Sequence, residues 1–94
     1  TSIDERIHLL RDVDQGLNEN QFELYYQPIV AAKSDKKTSL EVLLRWKHPS
    51  GEIRTPAQFE AALDDEYTSK KIGQFILQSV FNDAQKMKEL YIEP

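Results

Sequence analysis

Leu40-Glu41-Val42-Leu43-Leu44-Arg45-Trp46-Lys47, followed by His48-Pro49-Ser50-Gly51, decides how this chain is read. The first eight residues make a strand and the next four a turn, in which Pro presets φ and Gly accepts a positive φ. A period of two places Glu41, Leu43 and Arg45 on one face, with Leu40, Val42, Leu44 and Trp46 on the other. A carboxylate on so apolar a strand costs several kcal/mol unless it is paired, coordinated or solvated in a cleft. Glu41 and Arg45 stand about 13 Å apart along the strand, too far to pair directly. Two readings stay open: both groups lie on an exposed rim, or both point into one cavity. In the cavity, Glu41 would hold a hard divalent cation and Arg45 would fork onto a phosphate.

Upstream, Phe22-Glu23-Leu24-Tyr25-Tyr26-Gln27 alternates and is rich in aromatics, so it predicts a first strand, with Pro28 at its end or on an edge. The polar, turn-prone Lys33 to Ser39 joins the two strands into an antiparallel hairpin. Before them, Ser2 and Glu5 have the form of a capping box. Ile3, Ile7, Leu9, Leu10, Val13 and Leu17 recur at helical spacing, and Gly16, Asn18 and Asn20 mark the end of that helix. Downstream, Thr55-Pro56-Ala57-Gln58 predicts a helix start with Thr at the N-cap, Pro at N1 and Gln at N3. This short helix carries Phe59 and Leu63 and frays at Asp64-Asp65-Glu66. A longer helix begins near Ser69, with Ile72, Phe75, Ile76, Val80 or Phe81, Ala84, Met87 and Leu90 as its apolar stripe. Tyr91-Ile92-Glu93 has the pattern of a further strand. The expected order is helix, antiparallel strand pair, two helices. Two strands cannot close a useful sheet, so the chain reads as cut off.

Composition narrows the function classes. Hydrophobic residues make up 39% and charged residues 30% of 94, which suits one globular domain. Folding at this size buries only roughly 60–65% of the unfolded surface, so the core is expected to be thin. Twelve basic against sixteen acidic residues give a net charge of −4. With no basic run longer than Lys36-Lys37 or Lys70-Lys71, duplex DNA and anionic membrane are poor partners. The absence of cysteine excludes disulfides and thiolate metal sites. The longest apolar stretch, Ile29 to Ala32, is too short to span a membrane. No signal-peptide pattern opens the sequence, and a cytoplasmic location is expected.

Common catalytic motifs are missing: there is no phosphate-cradling glycine loop and no HExxH. His8 falls on an exposed helix face and His48 in the turn, with no partner at metal-ligand spacing. Asp64-Asp65-Glu66 reads as a solvated helix end rather than a cation site.

Taken together, Tyr26-Gln27-Pro28-Ile29-Val30, a ten-residue gap, and Glu41-Val42-Leu43-Leu44-Arg45-Trp46-Lys47-His48-Pro49 resemble the signature of EAL domains. These are bacterial phosphodiesterases that hydrolyse cyclic di-GMP. The family pattern is approximately YQPI(V), then EALLRWxHPxxGxIxPxxFI. Gly51-Glu52-Ile53-Arg54-Thr55-Pro56-Ala57-Gln58-Phe59 continues it, and Ile72-Gly73-Gln74-Phe75-Ile76-Leu77 is similar to the family's IGxWVL. The resemblance runs from about Phe22 to Leu90. It implies an α/β fold, the N-terminal portion of an EAL-type modified TIM barrel, with residues 1–20 a leading helix or linker and 21–94 the N-terminal third of the domain. It also implies that Glu41 is a ligand of Mg²⁺ or Mn²⁺, that Arg45 contacts a phosphate of the dinucleotide, and that Gln27 and the Leu44 main chain line the same pocket. Hydrolysis in the family gives linear pGpG.

Three departures accompany the match. Val42 stands where the motif has Ala, Leu63-Asp64 where the family has Ala-Glu, and Tyr67 where a Gly follows. The family's remaining acidic ligands and its catalytic lysine lie beyond Pro94, and Asp64-Asp65 does not align with its Asp-Asp pair. The expectation is therefore part of a cyclic di-GMP phosphodiesterase. The 94-residue chain alone is expected to be inactive, and to associate with itself or with the remainder of its domain. The alternative is a degenerate EAL domain that binds cyclic di-GMP or a protein partner without turnover.

Overall fold

In the computed structural model, which describes residues 2–30 and 38–90, three helices lie against one face of a three-stranded antiparallel sheet. Helix α1 (Ile3–Asn18) starts at Ser2, whose Oγ accepts from the Glu5 amide at 3.1 Å. The Glu5 carboxylate accepts from the same hydroxyl at 3.1 Å, so the box closes on the side chain rather than on the Ser2 amide. Asn20, at φ 59°, ends the helix in the left-handed region, and the Gln21 amide donates back to the Gly16 carbonyl at 2.9 Å. Gly16 does not break the helix; it is buried within it.

Strand β1 (Phe22–Val30) pairs with β2 (Thr38–Lys47) in a register that sets Phe22 opposite Trp46 and Gln27 opposite Glu41. Pro28 sits opposite Leu40 on what is the edge strand among the described residues, the position in a sheet that tolerates proline, and the strand continues past it. The expected strand pair is in fact a triplet. Beyond the turn, β3 (Ile53–Arg54) pairs with β2 through Trp46 and Lys47. Gly51 at φ 97° and its amide bond to the His48 carbonyl at 2.9 Å bring the chain back. Two residues are too few for alternation to reveal a strand.

Pro56–Phe59 forms a 3-10 turn, with the Thr55 amide donating to Gln58 Oε1 at 2.8 Å, and α2 (Glu60–Leu63) follows. Helix α3 (Glu66–Leu90) begins three residues before Ser69, because Asp65 accepts from the Thr68 amide at 3.0 Å and caps it. Lys71 joins α3 to α1 through Asp14 and, at 3.1 Å, through Asn18 Oδ1. No helix among the described residues is long and apolar enough to cross a membrane.

The core is aromatic and lies at one end of the sheet. Phe22 stacks on Trp46 with ring centroids 5.2 Å apart, and Phe59 meets both rings edge-on at 5.8 and 5.7 Å. Val13, Leu44, Ala62 and Ile72 complete the buried cluster. The Trp46 Nε1–H donates to Gln21 Oε1 at 3.1 Å, and the Arg54 guanidinium lies over the indole at 5.2 Å. Leu40 and Val42 share the face of Leu44 and Trp46 yet remain 46% and 42% exposed. The buried cluster lies at the Trp46 end, and at the Leu40 and Val42 end α3 packs less closely, leaving a cavity between them. The segment around Lys33 and the pattern at Tyr91-Ile92-Glu93 lie outside the described residues.

Candidate functional site

Among the described residues, the opposite face of the sheet carries none of the core. Because directly opposed residues of an antiparallel pair point the same way, the register puts Glu23, Tyr25 and Gln27 of β1 on one surface with Glu41, Leu43 and Arg45 of β2. Gln27 lies directly opposite Glu41 and Glu23 opposite Arg45. Glu41 and Gln27 are exposed, while Leu43 and Arg45 are half-buried. The expected parity of Glu41 and Arg45 is what the strand adopts, and Gln27 joins them across the ladder.

Local bonds tune this surface. The Arg45 Nη1–H donates to the Leu44 carbonyl at 2.7 Å, folding the guanidinium back over its own strand. Leu44 contributes only main chain here, since its side chain is buried on the far face. Lys47 forms an ion pair with Glu23 at 2.6 Å, and that carboxylate, aided by Tyr25, raises the Lys47 ammonium above its ordinary range. Glu23 is thus occupied by Lys47 although it faces Arg45. Glu41 takes part in none of the three ion pairs found among the described residues. Sequence reasoning passed over Glu23 and Lys47, yet the alternation that selected Glu41 and Arg45 extends to both.

This face offers oxygen donors to a divalent cation. The Glu41 carboxylate and the Gln27 amide oxygen, about 5 Å apart at Cβ, are hard ligands of the type Mg²⁺ and Mn²⁺ prefer. They fit in kind and fall short in number: no group of three or more His, Asp or Glu side chains that could hold a metal occurs among the described residues. The other candidates are accounted for differently. His8 is exposed, and His48 Nδ1 accepts from the Ser50 amide at 3.0 Å within the turn. Asp65, lowered by the Thr68 backbone and side-chain hydrogen bonds, is a helix cap rather than a cation ligand.

Comparison with known proteins follows the same residues. The EAL domain family matches residues 10–93. The bifunctional diguanylate cyclase/cyclic di-GMP phosphodiesterase MucR of Pseudomonas aeruginosa is 37% identical over 89 residues, covering 95% of this chain and 12% of MucR. The cyclic di-GMP phosphodiesterase PdeB of Shewanella oneidensis is 39% identical over 70 residues, covering 73% of this chain and 8% of PdeB. The cyclic di-GMP phosphodiesterase RocR of Pseudomonas aeruginosa is 44% identical over 48 residues, covering 51% of this chain and 12% of RocR. The chain spans about a tenth of the length of the curated relatives it matches. No solved structure matches it. With the family match covering most of its length and the signature residues sharing one face of the sheet, the chain belongs to the EAL domain family.

Proposed function

We propose that this chain supplies the first wall of a cyclic di-GMP phosphodiesterase site, in a bacterial cytoplasmic signalling protein. In this reading Glu41 is a ligand of Mg²⁺ or Mn²⁺, Arg45 binds a phosphate of the dinucleotide, and Gln27 and the Leu44 main chain line the pocket. A bound divalent cation would supply Lewis acidity and lower the pKa of a coordinated water. The residues of this chain bind and orient. Glu41 presents anionic oxygen from a fixed strand position, and Gln27 offers an amide directly across from it. Arg45, about 13 Å further along, reaches a separate part of an extended ligand. Water adds to phosphorus, one phosphodiester P–O bond breaks, and linear pGpG results.

The observation that carries the reading is the shared face. Glu41, Arg45 and Gln27 lie together on the surface from which every core residue is absent. The apolar neighbours Tyr25 and Leu43 on the same surface fit coverage by the remaining walls of an EAL-type TIM barrel, or by a second copy of this chain.

The test is chromatographic conversion of cyclic di-GMP to pGpG by the full-length protein that carries this segment, with Mg²⁺ or Mn²⁺ supplied. Metal-dependent turnover is expected there, and none from the 94-residue chain by itself, which offers a single carboxylate to the cation. Binding of cyclic di-GMP without turnover by the full-length protein would favour a receptor instead, the reading to which Leu63-Asp64 and Tyr67 lean. Neither binding nor turnover would overturn both.

A further inference from the structure

We infer that Tyr26 and Asp83 are a positioning pair: their hydrogen bond ties the back of the sheet to α3 at the point where Gln27 and Glu41 face each other on the front. The inference rests on the proposed roles of Gln27 and Glu41. The Tyr26 hydroxyl donates to Asp83 Oδ2 at 2.5 Å, across 57 residues of sequence. Among the described residues it is the only side-chain hydrogen bond between α3 and the sheet. Tyr26 is adjacent in sequence to Gln27, and its cross-strand neighbour, Val42, is adjacent to Glu41. Pleating sends Tyr26 and Val42 to the helix side and Gln27 and Glu41 to the open side. The bond therefore lies directly behind the pair.

Packing there is too thin to do the same work. A cavity of about 210 Å³, lined by Leu40, Val42, Val80, Ala84 and Met87, opens beside the bond. The buried aromatic cluster is at the other end of the strands, around Phe22 and Trp46. Among the described residues, strand β1 is also an edge, with β2 as its single neighbour in the sheet. At Gln27 its depth against the helices depends on one hydroxyl–carboxylate contact. Burial and the Asp83 carboxylate push the Tyr26 hydroxyl up to about 12, so it remains a protonated donor throughout the physiological range.

The experiment is residue-resolved amide hydrogen exchange on the full-length protein that carries this segment, comparing Tyr26→Phe, Asp83→Leu and Asp83→Asn with the parent sequence. Hydrogen bonds to charged groups are strong enough that losing this one should speed local exchange roughly ten- to hundredfold. The effect is expected at the hydrogen-bonded amides of 25–29 and 40–43 in Tyr26→Phe and Asp83→Leu, with 22–24 and 44–46 unmoved. Asp83→Asn, whose amide oxygen still accepts from tyrosine, should stay near the parent sequence. Unchanged rates, a uniform acceleration of the whole sheet, or no protection at 25–29 in the parent sequence would each overturn the inference. In the full-length protein Tyr26→Phe and Asp83→Leu should also raise the Mg²⁺ concentration needed for half-maximal pGpG formation severalfold, and Asp83→Asn should not, a shift that a merely structural bond would leave unmoved. If the full-length protein fails to bind cyclic di-GMP while the exchange pattern is as expected, the functional reading falls and the positioning role with it, leaving the bond as a local anchor of the strands.

Discussion

Replacing glycine by alanine should have opposite signs at two helical positions of this chain. In a helix interior, Gly→Ala ordinarily gains about 0.8–1 kcal/mol from backbone propensity. At Gly73, within α3, an added Cβ meets nothing within 4 Å, so Gly73→Ala should realise most of that gain. At Gly16, within α1, the same methyl would stand 2.9 Å from Phe22 Cε1, 2.9 Å from Trp46 Nε1 and 3.0 Å from Gln21 Oε1. Two of those neighbours are rings locked in the stacked pair at the centre of the core, and neither can step aside alone. Overpacking of this kind costs about 1–3 kcal/mol, and disturbing the Trp46–Gln21 hydrogen bond adds about 1. Against the propensity gain, Gly16→Ala should be destabilising by about 1–3 kcal/mol. In a domain of this size that lowers Tm by roughly 5–25 °C, while Gly73→Ala raises it by several degrees. Urea denaturation followed by the fluorescence of Trp46, the sole tryptophan, reads both variants. A Gly16→Ala chain as stable as Gly73→Ala would refute the close packing of α1 on the aromatic pair.

The Asp65 carboxyl is held below the ordinary carboxylate range by the Thr68 hydrogen bonds, so its contribution is present above the unfolded pKa and fades as pH falls through the lower folded value. Below about pH 4 the parent sequence should therefore lose stability that Asp65→Asn, which caps at any pH, does not lose in that window; matching acid profiles from thermal scans would contradict this. In the full-length protein, Arg45→Ala should weaken cyclic di-GMP binding by about 1.5–3 kcal/mol through loss of a charge-assisted phosphate contact. Calorimetry at two salt concentrations checks it, and unchanged affinity with an unchanged salt slope would remove Arg45 from the site.

Much of this architecture was legible because period and punctuation agreed. Ser2, Thr55 and Pro56 marked the helix starts where the structure has them, and strict alternation from Glu41 to Arg45 gave the two faces of β2 before any coordinate did. The resemblance to EAL domains, carried by the runs around Gln27 and Glu41, agrees with the family match. What escaped was set by contacts rather than by pattern. Strand β3 has two residues and exists because Gly51 folds it back on Trp46 and Lys47. Asp65 looked like the frayed end of one helix and is the cap of the next, a role fixed by where the Thr68 amide points. The Tyr26–Asp83 bond joins residues 57 apart, and no local signal couples them. Gly16 read as a helix terminator; its actual function, room for two rings, depends on strands that follow it.

The proposal that the open sheet face, led by Glu41, belongs to a metal-dependent cyclic di-GMP hydrolase is decided by pGpG formation by the full-length protein and its Glu41→Gln variant, with Mg²⁺ or Mn²⁺ present. Glutamine keeps the shape of the side chain and removes the anionic oxygen a hard cation requires. Glu41 is exposed and outside the core, so folding should be unaffected, with superimposable thermal unfolding of the two proteins. Hydrolysis is expected from the parent protein and none above background from Glu41→Gln; turnover by Glu41→Gln at the parent rate would remove Glu41 from the metal site.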